Sequence, residues 1–317
     1  MRVTLQEIRQ AAQRIEPYSH HTPVLTNRSL DERVNAQVFL KCENMQRVGA
    51  FKFRGACNAV FSLTEPEAKR GVATHSSGNH AQALAHAAGL RGMPAYIVMP
   101  ENAPAVKKAA VAGYGGQITF CEPTLEARER TLEQIVEKTG ANVVHPYNDE
   151  RVIAGQGTAA LELLETIPGL DVIIAPVGGG GLLSGVSIAA SEMERGIRVI
   201  GAEPEMADDA YRSIQAGVIL PSVKPQTIAD GLLTSLGTLT FPIIQQRVEQ
   251  LVTVSEQGMI DCMRFVWERL KIIIEPSAAV AVGVLWERKI DLTGLRVGII
   301  LSGGNVDLEL LPWQSKP

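Results

Sequence analysis

The sequence predicts an α/β protein of two doubly wound, mostly parallel open-sheet domains, and three observations predict it. Short apolar segments alternate with stretches of helical spacing along the first two thirds of the chain, the order that gives parallel sheets with covering helices. Several of these segments, Asp171–Val177 among them, are apolar without alternation, as strands buried on both faces are. The 317 residues, 45% apolar and 20% charged, suffice for two moderate cores. The division expected is a smaller domain at 70–148 and a larger one from 1–69 and 149–317.

Taken in order, Thr4–Ile15 carries Leu5, Ile8, Ala11, Ala12 and Ile15 on one helical stripe. His20 to Pro23 reads as a loop and Val38–Glu43 as a strand. Gly49–Gly55 leads into a helix from about Ala56 to Leu63. Val72–His75 is a strand, Ser76 to His80 a turn, Ala81–Ala88 a helix and Ala95–Met99 the next strand. A helix at Pro104–Ala112, a strand at Gln117–Cys121, an amphipathic helix at Leu125–Thr139 and a strand at Asn142–His145 follow. A helix from Ile153 precedes the strand at Asp171–Val177; Leu182–Arg195 is then helical and Arg198–Ala202 a strand.

Between the strand at Asp171–Val177 and its helix stand four glycines, Gly178, Gly179, Gly180 and Gly181. Glycine lets a backbone approach a ligand, and the next helix start offers free N–H groups, so strand, glycine turn and helix together form a phosphate cradle. A dinucleotide-binding oxidoreductase is one reading, since Glu203 ends the next strand. The glycine spacing does not match that fingerprint, because the sixth position falls on Leu183 or Ser184. The SSGNH turn also follows a strand, so a site between two domains, at strand carboxyl ends, would bring the two turns together.

A net charge of −4 gives no electrostatic support for a nucleic-acid partner. No secretory signal opens the chain, and Ile272–Trp286 is too short to span a bilayer, so no membrane partner is expected. Cys42, Cys57, Cys121 and Cys262 are scattered as reduced core thiols are, which fits a cytoplasmic protein. Lys52 lies among Ala50, Phe51 and Phe53, surroundings that lower an amine's pKa as a Schiff-base lysine requires. A snorkelling lysine is the plainer alternative.

G-A-F-K-F-R-G, T-H-S-S-G-N-H-A-Q, V-G-G-G-G-L-L-S-G and L-S-G-G-N together resemble the serine racemase and serine/threonine dehydratase family, pyridoxal-phosphate enzymes of the tryptophan-synthase-β fold (fold type II). The resemblance covers nearly the whole chain. It implies a pyridoxal 5'-phosphate cofactor between the domains, held covalently by Lys52, with Phe51 against its ring. It also implies that Gly178–Gly181 bind the phosphate, that Asn79 bonds the ring hydroxyl and that Ser302 meets the pyridine nitrogen. A serine there leaves that nitrogen largely neutral, which favours elimination or reprotonation over transamination.

Substrate residues implied by the resemblance are His75, Ser76, Ser77, Asn79, His80 and Arg128, with Ser77 protonating the face opposite Lys52 in racemases. The expected reaction is dehydration of L-serine or L-threonine to a 2-oxo acid and ammonia, with serine racemisation through Lys52 and Ser77. An arginine at 128 could receive a second carboxylate, so a threo-3-hydroxyaspartate dehydratase stays open. Glu203, Ala207 and Asp209 match the family's divalent-cation site, which suits magnesium, with calcium or manganese as alternatives; the rival is a solvated acidic run. The nucleotide positions match at Asn305, Arg269 and Lys271 but depart at Arg47 and Val48, so ATP activation is left open. The family implies a homodimer.

Overall fold

The computed structural model describes residues 3–314. Among the described residues, ten strands form two sheets. The larger has the order β1 (Val24–Leu25), β2 (Gln37–Cys42), β10 (Arg296–Leu301), β7 (Val172–Pro176), β8 (Arg198–Pro204), β9 (Gln250–Val254). The smaller has the order β5 (Gln117–Cys121), β4 (Ala95–Pro100), β3 (Val72–His75), β6 (Asn142–Val143). Every pairing is parallel except β1 with β2. The fold is thus the expected α/β arrangement with parallel sheets in two domains.

The α-helices of the described residues cover the sheets: α1 (Leu5–Ile15), α2 (Arg28–Val34), α3 (Lys52–Phe61), α4 (Glu65–Arg70), α5 (Asn79–Leu90), α6 (Ala105–Gly113) and α7 (Leu125–Thr139), then α8 (Glu150–Thr166), α9 (Gly181–Met193), α10 (Asp209–Ala216), α11 (Thr240–Arg247), α12 (Glu256–Leu270) and α13 (Pro276–Trp286). The pleat of β7 sorts its side chains to two cores. Val172 and Ile174 face a cluster containing residues of α12 and α13, while Ile173 and Ala175 face one containing α1, α8 and α9. Burial on both faces explains why this strand has no polar alternation. On the small sheet, Val72 and Ile97 pack with α5 and with Phe53, Ala56 and Val60 of α3, whereas Ala73 and Val98 face α7.

Strand order fixes where ligands can go. In the large sheet the chain runs β7, β8, β9 in one direction and then returns to place β10 on the other side of β7. In the small sheet it runs β3, β4, β5 and then places β6 on the other side of β3. Crevices open at such reversals, beyond the carboxyl ends of the strands. Gly178–Gly181 and Ser302 follow the strands at one reversal; Ser76–Gly78 and His145 follow those at the other.

Several element boundaries differ from expectation by one to four residues, and three of these bear on the site. α3 begins at Lys52 rather than near Ala56, because Gly55 is an interior helix position and not a stop. A Cβ on Gly155 of α8 would lie 2.6 Å from the Gly55 Cα, so the glycine serves a close helix crossing. Asn79 and His80 are the first residues of α5, leaving only Ser76–Gly78 as the turn. β6 ends at Val143, two residues before His145. Among the described residues, no helix is long and apolar enough to cross a membrane.

Candidate active site

The glycine turn is closed from outside by side chains that leave no room for a Cβ. A methyl on Gly179 would overlap the Tyr147 ring, and one on Gly180 would lie 2.8 Å from Ile244 Cδ1 and 2.9 Å from Leu236 Cδ2. Gly180 has φ +88°, a left-handed value that disfavours any side chain. Thr240 Oγ1 donates to the Gly179 carbonyl at 2.7 Å and pins the turn. α9 starts at Gly181 with no side-chain cap, so its first N–H groups remain available for an anion. The Ser184 hydroxyl, in that first turn, is buried and makes no hydrogen bond. Gly179→Ala is therefore expected to cost about 1–3 kcal/mol by overpacking. With the turn read as the cradle of a cofactor phosphate, as the resemblance implies, the change should also weaken cofactor binding at least about tenfold, since 1.4 kcal/mol lost there has that effect; thermal unfolding and equilibrium dialysis would measure the two.

Lys52 is the first residue of α3, placed there by Ala50 and Phe51, which are held to the end of β10. Ala50 bridges Gly303, and the Phe51 N–H donates to the Ser302 carbonyl at 3.0 Å. The side chain of Lys52 is half-buried, yet its amine is desolvated, and this lowers its pKa to about 8 against the opposing pull of Glu275. Nζ lies 5.1 Å from the centre of the Phe51 ring and donates to the Pro146 carbonyl at 2.9 Å. On either side of Pro146, His145 and Tyr147 meet edge to face at 4.5 Å. His145 Nδ1 accepts from the N–H groups of Tyr147 and Asn148, and burial drives its pKa down to about 4, so the ring is neutral.

The residues after β3 present a second polar surface. The Ser76 N–H is tied to the Val98 carbonyl at 3.1 Å, while Ser76 and Ser77 are half-buried. His75 stands 6.4 Å from His145, ring centre to ring centre, and burial followed by the nearby Arg128 lowers its pKa. Arg128 projects from α7, and its Nε is buried without a hydrogen-bond partner. His80 faces inward: Nε2 meets the Val144 carbonyl at 3.1 Å, and burial takes its pKa to about 3.

Asn79 is gripped at both ends of its amide. Nδ2 donates to the two carboxylate oxygens of Glu275 at 3.0 and 3.2 Å, and Oδ1 accepts from Asn305 Nδ2 at 3.0 Å. Glu275 also accepts from the Asn305 N–H at 3.1 Å. Burial, then Asp230, raises its pKa to about 7. Glu275 lies inside the apolar stretch Ile272–Trp286 and is not among the site residues expected from the sequence. An acid within Ile-Ile-Ile-Glu-Pro was the signal, because a carboxylate is seldom buried without a task. Nothing in the sequence marked Tyr147 or Thr240.

Glu203, Ala207 and Asp209 form a separate group. Glu203 lies within β8, its oxygens accepting from the Ala210 and Tyr211 N–H groups at 2.9 and 2.8 Å. Asp209 opens α10 and is fully buried; its oxygens make no hydrogen bond of ordinary geometry, although the Ser222 hydroxyl is near enough to oppose the effect of burial on its pKa. Of the acidic run Glu205, Asp208 and Asp209, Glu205 is exposed and Asp208 half-buried, while Asp209 is buried as Glu203 is; two buried carboxylates suit a hard cation. Among the described residues no cluster of three or more His, Cys, Asp or Glu side chains has metal-binding geometry.

A cradle without side chains, an uncapped helix start and a desolvated amine fit pyridoxal phosphate, which needs a phosphate site and a nucleophilic lysine. The comparisons agree. The beta-hydroxyaspartate dehydratase of Paracoccus denitrificans (strain Pd 1222) is 50% identical over 310 residues, covering 98% of each chain. The serine racemase of Dictyostelium discoideum is 51% identical over 310 residues, covering 96% of each chain. The crystal structure of serine racemase from that organism superposes with a TM-score of 0.93, covering 96% of this chain and 99% of the other. Residues 15–303 match the family described as "Pyridoxal-phosphate dependent enzyme", and the chain belongs to that family.

Proposed function

We propose that the protein is an ammonia-lyase of small β-hydroxy amino acids that also racemises serine. The observation that carries this is the desolvated Lys52 amine, whose Nζ donates to the carbonyl of Pro146, the residue before the Tyr147 that packs on the glycine turn. Gly178–Gly181 and the start of α9 would hold the phosphate, Asn79 the ring oxygen and Ser302 the ring nitrogen. The cofactor, when bound, supplies the electron sink for the carbanion left by loss of the Cα proton. Lys52 takes that proton at Nζ. Departure of the β-hydroxyl then gives, after hydrolysis, a 2-oxo acid and ammonia. Return of a proton from Ser77 Oγ on the other face gives the D-amino acid. The N–H groups at the start of α5, with Ser76, bind the substrate carboxylate.

A second substrate is favoured by Arg128. Its buried, unpartnered Nε next to His75 suits the second carboxylate of 3-hydroxyaspartate, and the Paracoccus relative is named for that substrate. Product analysis with pyridoxal phosphate and magnesium, offering L-serine, L-threonine and L-threo-3-hydroxyaspartate, is the test. Oxo acid from all three is expected. Arg128→Met should then reduce kcat/KM for hydroxyaspartate by about 10²-fold, while serine changes little, as loss of one charged hydrogen-bonded contact predicts. If no oxo or D-amino acid forms from any of them, the proposal fails.

The same reading places a divalent cation, magnesium first, on Glu203, the Ala207 carbonyl and Asp209. At a hundredfold excess over its dissociation constant, magnesium should raise stability by about 2.7 kcal/mol. Calorimetry with and without a chelator should show that gain in the wild type and none in Asp209→Asn. A homodimer completes the reading, and light scattering tests it; ATP activation stays open, since Asn305, Arg269 and Lys271 match the nucleotide positions while Arg47 and Val48 depart from them, and nucleotide titration decides it.

A further inference from the structure

Four charged side chains that take no part in this chemistry are enclosed between β2, α3 and α8. Arg54 and Glu43 are fully buried, as is Lys41, and Glu162 is nearly so. Arg54 Nε and Nη2 donate to the Glu43 carboxylate at 2.7 and 2.8 Å. Nη1 and Nη2 donate to the Glu162 carboxylate at 2.6 and 2.8 Å. Lys41 Nζ completes the set, donating to Glu162 at 2.5 Å and to the Thr22 carbonyl at 2.8 Å. Two positive and two negative charges close on one another, and the carboxylates hold Arg54 charged against the effect of burial.

Stability does not account for such a group, since an apolar core of the same volume would serve as well or better. What a guanidinium adds is direction: its planar fork holds two carboxylates in fixed geometry, here on different elements. Arg54 follows Lys52 by two residues, about 200° around the helix axis, so the fork grips one side of α3 while the amine leaves from the other. Phe53, Ala56 and Val60 pack α3 against the small sheet and α5, whereas its closest approach to α8 is through glycine. The Gly55–Gly155 crossing joins it to α8, and α8 meets the cradle helix α9 where a Cβ on Gly185 would lie 2.5 Å from the Gly157 nitrogen. At that glycine crossing, resistance to rolling comes from polar contacts: the Arg54 fork, Gln156 Oε1 accepting from the Gly55 N–H at 3.1 Å and Asn58 Nδ2 donating to the Arg151 carbonyl at 2.7 Å. A roll of about 20° would move a Cβ by about 1 Å and the lysine tip further.

We propose that Arg54 is a positioning residue for Lys52: its double fork to Glu43 and Glu162 fixes the roll of α3, and with it the place of the amine relative to the glycine cradle. This rests on Lys52 being the cofactor lysine. Borohydride trapping of the wild-type holoenzyme, followed by peptide mass analysis, tests that reading alone; a label on another residue overturns it before any variant is made. The proposal itself is tested with Glu43→Gln/Arg54→Met, which removes one charge of each sign and leaves Lys41 paired with Glu162. The expected result is a folded protein whose kcat falls about 10²-fold at a KM within twofold of wild type, the scale set by about 1 Å of misplacement.

A second readout uses the cofactor-free protein. There the pH midpoint for acylation of Lys52, set by burial and by the facing Glu275, His80 and His145, should move from about 8 towards the ordinary lysine value. Wild-type kcat and midpoint in the folded double variant would overturn the proposal. If that variant does not fold, Arg54→Lys, which keeps the charge but loses the fork, takes its place with the same expectations. Val60→Ala, farther along α3, controls for a loosened helix. An equal loss of kcat and an equal shift of midpoint there would show a purely structural effect, and the assignment to Arg54 would fall.

Discussion

Lys52→Ala is expected to lower turnover of every substrate by at least about 10⁴-fold, because the proposed function gives this amine both the anchoring of the cofactor and the transfer of the Cα proton. No neighbour can replace it. His145 and His80 titrate near 4 and 3, and each meets backbone groups through a ring nitrogen. His75 is held low by burial and by Arg128. Added alkylamines should restore part of the proton transfer in Lys52→Ala, and they should do nothing if the lysine is only structural. The same residue predicts how stability depends on pH. Its folded pKa of about 8 lies below the ordinary 10.5, so between those values the unfolded chain binds more protons than the folded one. Cofactor-free wild type should therefore gain stability as pH rises from about 8 to 10.5, and Lys52→Ala should lack that gain. Chemical denaturation at pH 8 and 10.5 measures it, and equal slopes for the two proteins would remove Lys52 as the desolvated amine.

The parts of this site that the sequence disclosed are those where composition had to be unusual. Four adjacent glycines carry a conformational cost that only a close approach explains, and in the fold side chains of Tyr147, Ile244, Leu236 and Thr240 occupy the space around them. Alternating strands and helices were enough to predict parallel sheets, but not the order of the strands. The reversals at β7/β10 and β3/β6 follow from long-range pairing that no local pattern encodes. Gly55 misled for a related reason, since its role in the crossing with Gly155 exists only once two helices are packed. The buried Glu275 and the Arg54 group are similar. Their charges look like surface residues in a sequence, and only their partners, up to 196 and 121 residues away, show why burial is tolerated.

Ser77→Ala should separate the two outcomes that begin with the same proton abstraction. Elimination needs a base on the Lys52 side and a leaving group; it needs no proton from the other face. Racemisation needs a donor there, and the proposal gives that task to the Ser77 hydroxyl. Loss of a positioned acid or base typically costs about 10²–10⁴-fold, so D-serine formation should fall by that factor while 2-oxo acid formation stays within a few-fold. Chirality alone is an incomplete readout, because a distorted turn would slow both reactions. Ser77 follows Ser76, whose N–H is fixed to Val98, and precedes Gly78, the residue that enters α5, so removing one hydroxyl should leave the backbone in place. Deuterium exchange at Cα gives the sharper test. In heavy water, Ser77→Ala should still exchange the proton of L-serine through Lys52 while leaving its configuration unchanged, and D-serine should lose its exchange. Persistence of D-serine exchange in Ser77→Ala would assign the second face to another donor, with water admitted past the serine turn as the first candidate.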